Sequence, residues 1–191
     1  THQGAYDLSF MRCIPNMVIM APSDTNECRH MLYTGFKANC PVAVRYPRGS
    51  AGTADIQSEM TLLEIGKANT IKQGAKIAIL SFGTLLENAQ LAANELGATL
   101  VNMRFIKPLD TSLLDELSQT HDVIVTLEDN AICGGAGSAV NEYLAAQKAN
   151  LKVLNLGIPD EFIKHGTQAQ MHDEMGLGEQ GILNSIKSFI A

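Results

Sequence analysis

At 191 residues, with 46% hydrophobic and 18% charged side chains, the chain can bury one core plus part of another and is too balanced to be disordered or fibrous. Its net charge of -6 is uneven: residues 1–58 carry five Lys/Arg against four Asp/Glu, and residues 59–191 nine against sixteen, which speaks against nucleic acid, whose phosphates need clustered cations. No apolar run approaches the roughly 18 residues of a spanning helix and no signal-peptide pattern opens the chain, so no membrane partner is expected and the expected compartment is the cytoplasm.

Residues 17–20 read as a short buried strand. Pro22-Ser23-Asp24 stops it and starts a helix, with Asp24 and Glu27 at capping-box spacing. That helix runs to about Phe36, where Gly35 and Asn39-Cys40-Pro41 break the pattern. Residues 42–46 form the next strand, completing the strand–helix–strand unit of a parallel α/β sheet. Arg48 falls just past its carboxyl end, where open α/β sheets place their ligands. Residues 49–54 are small and flexible and read as a linker at the best domain boundary in the chain.

A regular alternation follows. A strand over 76–82 turns at Gly83, and Thr84 and Glu87 sit at capping-box spacing before a helix with Leu85, Ala89, Ala92 and Leu96 on one face. Gly97 ends it, where a positive φ is needed. A second strand spans 99–103, and Asp110 caps a helix carrying Leu113, Leu114 and Leu117. A third strand over 123–127 leads to Gly134-Gly135-Ala136-Gly137 and a helix to about Gln147, and a fourth strand spans 153–156. Thr167 and Gln170 cap a short helix, and Ile182, Leu183, Ile186, Phe189 and Ile190 stripe a terminal one. Ile71 and its neighbours suit an edge strand. The pattern is a doubly wound, mostly parallel α/β domain of roughly 120–130 residues.

Few residues invite chemistry. Cys13, Cys28, Cys40 and Cys133 form no C-x-x-C pair and have no His at finger spacing, so they read as reduced thiols packed like small apolar residues. The Gly134–Gly137 run resembles a phosphate cradle at a helix N-terminus, yet it fits neither G-x-G-x-x-G nor a P-loop, and Glu128 and Asp129 just ahead would repel a phosphate. A tight turn for close backbone packing is the favoured reading. Glu128-Asp129 could be a paired acid and base, but a solvated or capping role suits adjacent residues at a strand end better. His30, His121, His165 and His172 have no metal-site spacing and read as structural, His121 and His165 as loop residues. His2 is the remaining histidine. Arg48 at a strand end suits a phosphate or carboxylate because its planar fork donates bidentately.

Five stretches occur in a telling order: Thr1-His2-Gln3-Gly4-Ala5-Tyr6-Asp7, Arg12-Cys13-Ile14-Pro15-Asn16-Met17, Pro22-Ser23-Asp24, Ala43-Val44-Arg45-Tyr46-Pro47-Arg48-Gly49, and Glu128-Asp129-Asn130-Ala131 through Gly134-Gly135-Ala136-Gly137-Ser138. Together they resemble the C-terminal portion of the 1-deoxy-D-xylulose-5-phosphate synthase family, thiamin-diphosphate enzymes of the transketolase superfamily. The resemblance covers essentially the whole chain. It implies a partial pyrimidine-binding α/β domain over residues 1–50, a linker over 51–65 and a transketolase C-terminal domain over 66–191. It also implies a transferase that condenses pyruvate with glyceraldehyde 3-phosphate and releases CO2, in non-mevalonate isoprenoid, thiamin and pyridoxal precursor synthesis.

Residue by residue, the resemblance makes His2 the substrate-site histidine and Arg48 the arginine that grips the phosphate of glyceraldehyde 3-phosphate. Imidazole titrates near neutral pH and suits hydrogen bonding or proton transfer as an alkoxide forms. The family holds thiamin diphosphate and Mg2+ through a Gly-Asp-Gly motif that this sequence lacks, and its cofactor-activating glutamate would lie upstream of Thr1. The resemblance thus implies a homodimer, an N-terminal part of the same polypeptide as partner, and no activity from this chain alone. Two other readings stand beside it: an autonomous dimerisation or interaction module, and an E1-type dehydrogenase β-like subunit that passes acyl groups to lipoyl partners.

Overall fold

The computed structural model describes residues 4–49 and 55–191. His2 and residues 50–54 of the expected linker lie outside the described residues. The elements in chain order are α1 (Asp7–Met11), β1 (Val18–Met20), α2 (Thr25–Lys37), β2 (Val42–Val44), β3 (Asn69–Lys72), β4 (Lys76–Phe82), α3 (Ala89–Glu95), β5 (Thr99–Asn102), β6 (Phe105–Lys107), α4 (Thr111–Thr120), β7 (His121–Ala131), α5 (Ala136–Ala146), β8 (Lys152–Ile158), α6 (Gln168–Glu174) and α7 (Glu179–Ile190).

The strands form two sheets, ordered β2-β1-β6 and β3-β5-β4-β7-β8. In the larger sheet β5, β4, β7 and β8 run parallel, and β3 closes one edge antiparallel. The α/β class read from the sequence holds, including the edge strand at Ile71. Strand β4 shows why this sheet needs helices on both faces: six of its seven residues are buried. Ile77 and Ile79 point into a core with Ala89, Ala92, Ile182 and Ile186, and Ala78, Leu80 and Phe82 into one with Leu114, Leu117, Val140 and Leu144. This is the period-2 alternation of a strand covered on both faces.

The second of those cores also takes in Leu8, Ile19 and Ala21, so the two sheets share apolar packing. Leu8 is 1% exposed, a burial that contributes about 2 kcal/mol. Strand β6 adds to the union. It is absent from the sequence reading and pairs antiparallel with β1, Met20 opposite Phe105. Residues 55–63, which include part of the expected linker, lie hydrogen-bonded along α2. Asn26 Nδ2 donates to the Asp55 carbonyl at 3.1 Å, the Thr61 N–H to His30 Nδ1 at 3.0 Å, and the Leu63 N–H to Thr34 Oγ1 at 2.9 Å.

Three local expectations need correction. Thr84 does not cap α3: residues Thr84–Leu86 form a 3-10 turn, and α3 begins later without a side-chain cap. Glu27 makes only part of a capping box. Asp24 accepts from the Glu27 N–H as expected, but the Glu27 carboxylate takes the Ser23 N–H at 2.7 Å and is 5% exposed. It meets Arg104 Nε at 2.7 Å and both its oxygens accept from Asn102 Nδ2 at 2.9 Å, a buried ion pair whose remaining lone pairs are satisfied. The cysteines, finally, are not packed inside: Cys13, Cys40 and Cys133 are exposed and Cys28 is half-buried.

Candidate functional site

Arg48 stands at the carboxyl end of β2, as its place in the sequence suggests. It lines a cavity of about 450 Å³ together with Gly4, Arg45, Asp129, His165 and His172. Gly4, two residues along from His2, brings the start of the described chain to the same wall. The opposite wall comes from the segment after β8 and from α6. Strand ends from both sheets therefore converge here, the location where parallel sheets present ligand-binding residues.

Two arginines at this wall have different surroundings. The Arg45 guanidinium donates to the Gly4 carbonyl at 2.6 Å and to the Asp129 carbonyl. It also faces two carboxylates, Asp7 at 3.5 Å and Asp129 at 3.6 Å. Arg48 is exposed and has no hydrogen-bond or ion-pair partner among the described residues. Arg45 is neutralised in place, whereas Arg48 presents an uncommitted fork to the cavity, as an anion site requires.

Asp129 carries the network onward, its Oδ1 lying 3.4 Å from Nε2 of His172 in α6. Burial of Asp129 acts to raise its pKa, but the hydrogen bond from His172 and the charge of Arg45 outweigh it and hold the carboxyl below the ordinary 3.8. Asp129 is thus a committed carboxylate, not an acid–base partner of Glu128. His172 sits on a helix with its side chain 11% exposed, and His165 lies on an exposed loop. His121 opens β7 and shares a 2.8 Å hydrogen bond with Thr99 Oγ1.

Glu128 resolves the glycine run. Its carboxylate is 0% exposed and accepts the Ala136 N–H at 2.7 Å and the Gly137 N–H at 2.8 Å, the first orphan donors of α5. The capping alternative therefore holds for Glu128 and the solvated one does not. Gly135 and Gly137 allow this close approach. A Cβ on Gly135 would stand 2.2 Å from Glu128 Oε2, and one on Gly137 2.5 Å from both Thr126 Oγ1 and Asn155 Nδ2. A carboxyl group does occupy this helix N-terminus, and the protein supplies it.

That arrangement bears on thiamin diphosphate and Mg2+. The N–H groups that could cradle a diphosphate are taken by Glu128, and among the described residues no group of three or more His, Cys, Asp or Glu could hold a metal ion. These residues do not fit the diphosphate–metal pair.

Burial pushes the Glu128 carboxyl up to about 7 from an ordinary 4.5, against the lowering by the Gly137 and Ala136 N–H bonds. Between those two values the folded chain holds a proton that the unfolded chain releases, so rising pH favours unfolding by about 1.4 kcal/mol per pH unit. Above about pH 7 both states are ionised and the effect levels off. Urea unfolding of wild type and Glu128→Gln at pH 5 and pH 7.5 is expected to show the wild type losing about 2.4 kcal/mol relative to the variant. A pH-independent difference would remove Glu128 as the titrating group.

Asn130 is a site-supporting residue that sequence reasoning passes over. Fully buried, it accepts the Leu8 N–H at 3.2 Å and donates to Ser9 Oγ at 2.9 Å, capping α1 from the neighbouring sheet. Helix α1, which the sequence does not announce, has no side-chain cap of its own, so its cap comes from elsewhere in the fold.

The fold agrees with comparisons to known proteins. The transketolase C-terminal domain family matches residues 66–182, and the transketolase pyrimidine-binding domain family matches residues 1–53. The chain belongs to the transketolase C-terminal domain family. It is 85% identical over 190 residues to the 1-deoxy-D-xylulose-5-phosphate synthase of Pseudoalteromonas translucida (strain TAC 125), and 60% identical to that of Vibrio parahaemolyticus serotype O3:K6. Each match takes in 100% of this chain and 31% of the relative, so the chain spans under a third of their length. Among solved structures, a split-gene transketolase described as an inactive beta4 tetramer superimposes with a TM-score of 0.86 at 28% identity, covering 98% of this chain and 62% of that one. A transketolase from Campylobacter jejuni shares the fold, with a TM-score of 0.68 at 20% identity over 98% of this chain and 28% of that one.

Proposed function

We propose that this chain supplies the acceptor side of the active site of a 1-deoxy-D-xylulose-5-phosphate synthase, which joins pyruvate to glyceraldehyde 3-phosphate with loss of CO2. The observation that carries the reading is Arg48, exposed on the cavity wall without a partner among the described residues, beside an arginine that two carboxylates neutralise. Its fork receives the acceptor's phosphate, and His2 exchanges a proton with the alkoxide that forms from the aldehyde. Residues 1–50 act as part of a pyrimidine-binding domain and residues 66–191 as the transketolase C-terminal domain, joined by a linker over 51–65.

Thiamin diphosphate and Mg2+ belong to the upstream region of the whole polypeptide, a division that fits the filled N-terminus of α5. The chain is inactive without that region. The whole enzyme works as a homodimer in the cytoplasm, feeding non-mevalonate isoprenoid, thiamin and pyridoxal precursor synthesis. Among the described residues no helix is long and apolar enough to cross a membrane.

Steady-state carboligation by the whole enzyme tests the assignment. His2→Ala is expected to lower kcat by about a hundredfold or more, the scale of a lost general acid–base group, with little change in either KM. An unchanged kcat would take His2 out of the chemistry.

A further inference from the structure

The residues that fix the Arg48 wall come from the other sheet. At the end of β7 four consecutive residues reach out to neighbouring segments. Glu128 caps α5, Asp129 holds Arg45 and His172, Asn130 caps α1, and the Ala131 N–H donates to the Ala5 carbonyl at 2.7 Å. Arg45 lies beside Arg48: its backbone N–H donates to the Met20 carbonyl at 2.8 Å, its side chain ties down Gly4 and Asp7, and Arg48 is three residues further on. Without the Asp129 carboxylate, Arg45 would keep only Asp7 as a charged partner at 15% side-chain exposure and would be freer to turn into the cavity and compete for the same anion.

We propose that Asp129 is a positioning residue of the acceptor site: by holding Arg45, with His172 bracing it from α6, it keeps the Gly4–Asp7 segment and the Arg48 turn in register. The proposal rests on the reading of Arg48 as the phosphate clamp. The C-terminal unit thereby sets the geometry of a site whose Arg48 follows a strand of the neighbouring sheet. Asp129 itself needs no contact with substrate.

The test uses the whole holoenzyme and compares glyceraldehyde 3-phosphate with unphosphorylated glyceraldehyde. Asp129→Asn is expected to reduce the kcat/KM preference for the phosphorylated acceptor about tenfold, and His172→Gln, which leaves Arg45 untouched, about twofold to threefold. The double variant Arg48→Ala/Asp129→Asn is expected to show no further loss of preference beyond Arg48→Ala alone. Equal losses with both acceptors, or additive losses in the double variant, would overturn the proposal, because a merely structural role lowers activity without touching the preference.

Amide hydrogen exchange separates this outcome from failure of the clamp reading. Should Arg48→Ala leave the preference intact, the phosphate role of Arg48 falls. Asp129→Asn must then still speed exchange at residues 4–8 and 44–49 while α4 and α7 keep their protection. Unchanged exchange in those two segments sinks the positioning role.

Discussion

Gly135→Ala is expected to destabilise the five-stranded unit by about 4 kcal/mol, a large part of the 5–15 kcal/mol typical of a domain. The new methyl group would stand 2.2 Å from Glu128 Oε2 and 2.6 Å from the Ala131 carbonyl, distances that no rotamer change of the alanine can relieve. One escape is for Glu128 to withdraw, which breaks its bonds to the Ala136 and Gly137 N–H groups and leaves a buried carboxylate unpaired. Each charge-assisted bond is worth about 1.5–3 kcal/mol, and overpacking adds about 1–3 kcal/mol if the carboxylate stays. The urea midpoint reads the result, with Gly49→Ala as control because its Cβ would meet nothing within 4 Å. A midpoint as little changed as the control's would mean that Glu128 does not pack against this turn.

Arg48→Ala should cost the whole enzyme about 2–4 kcal/mol in kcat/KM for glyceraldehyde 3-phosphate, the scale for removing one partner of a desolvated charge pair. That corresponds to a loss of roughly thirtyfold to nearly a thousandfold. The KM for pyruvate should change little, because the donor carries no phosphate for the guanidinium to grip. The contrast matters more than the size. Arg45 on the same wall is tied to Gly4, Asp7 and Asp129, so it is not open to a ligand as Arg48 is. Equal effects of Arg48→Ala on both substrates would show that Arg48 too is structural.

The doubly wound unit is legible in the sequence because its signals are local. Strand β4 announces itself by the apolar run Ile77–Leu80, and Gly83 and Gly97 take φ of +94° and +59°, turns that glycine makes without strain. Asp110 accepts the Leu113 N–H, and Thr167 with Gln170 completes a capping box, each within one helical turn. What escapes the sequence is long range. Strand β6 has three residues and no period to detect, and its partner β1 lies far upstream. Glu27 looks like half of a cap because Asn102 and Arg104, which determine its burial, stand 75 and 77 positions away.

The site divides along the same line. Arg48 is readable from its place after a strand, since topology alone puts strand ends beside ligands. His172 and Asp129 are not, because only the folded chain brings α6 and the end of β7 to the Arg45 side chain. Adjacent acidic residues at a strand end do point in different directions. Glu128 turns to the N-terminus of α5 and Asp129 to the cavity, and that divergence separates a cap from a clamp.

Acceptor use by the whole polypeptide, with this chain alone assayed beside it, tests the central claim most directly. Purified protein is given thiamin diphosphate, Mg2+ and pyruvate, with either glyceraldehyde 3-phosphate or lipoamide, and CO2 and carboligation product are counted. The expected result is 1-deoxyxylulose 5-phosphate formed in step with CO2 by the whole polypeptide, none from this chain alone, and no acyl-lipoamide. Acyl-lipoamide without carboligation, or product from this chain by itself, would contradict the account.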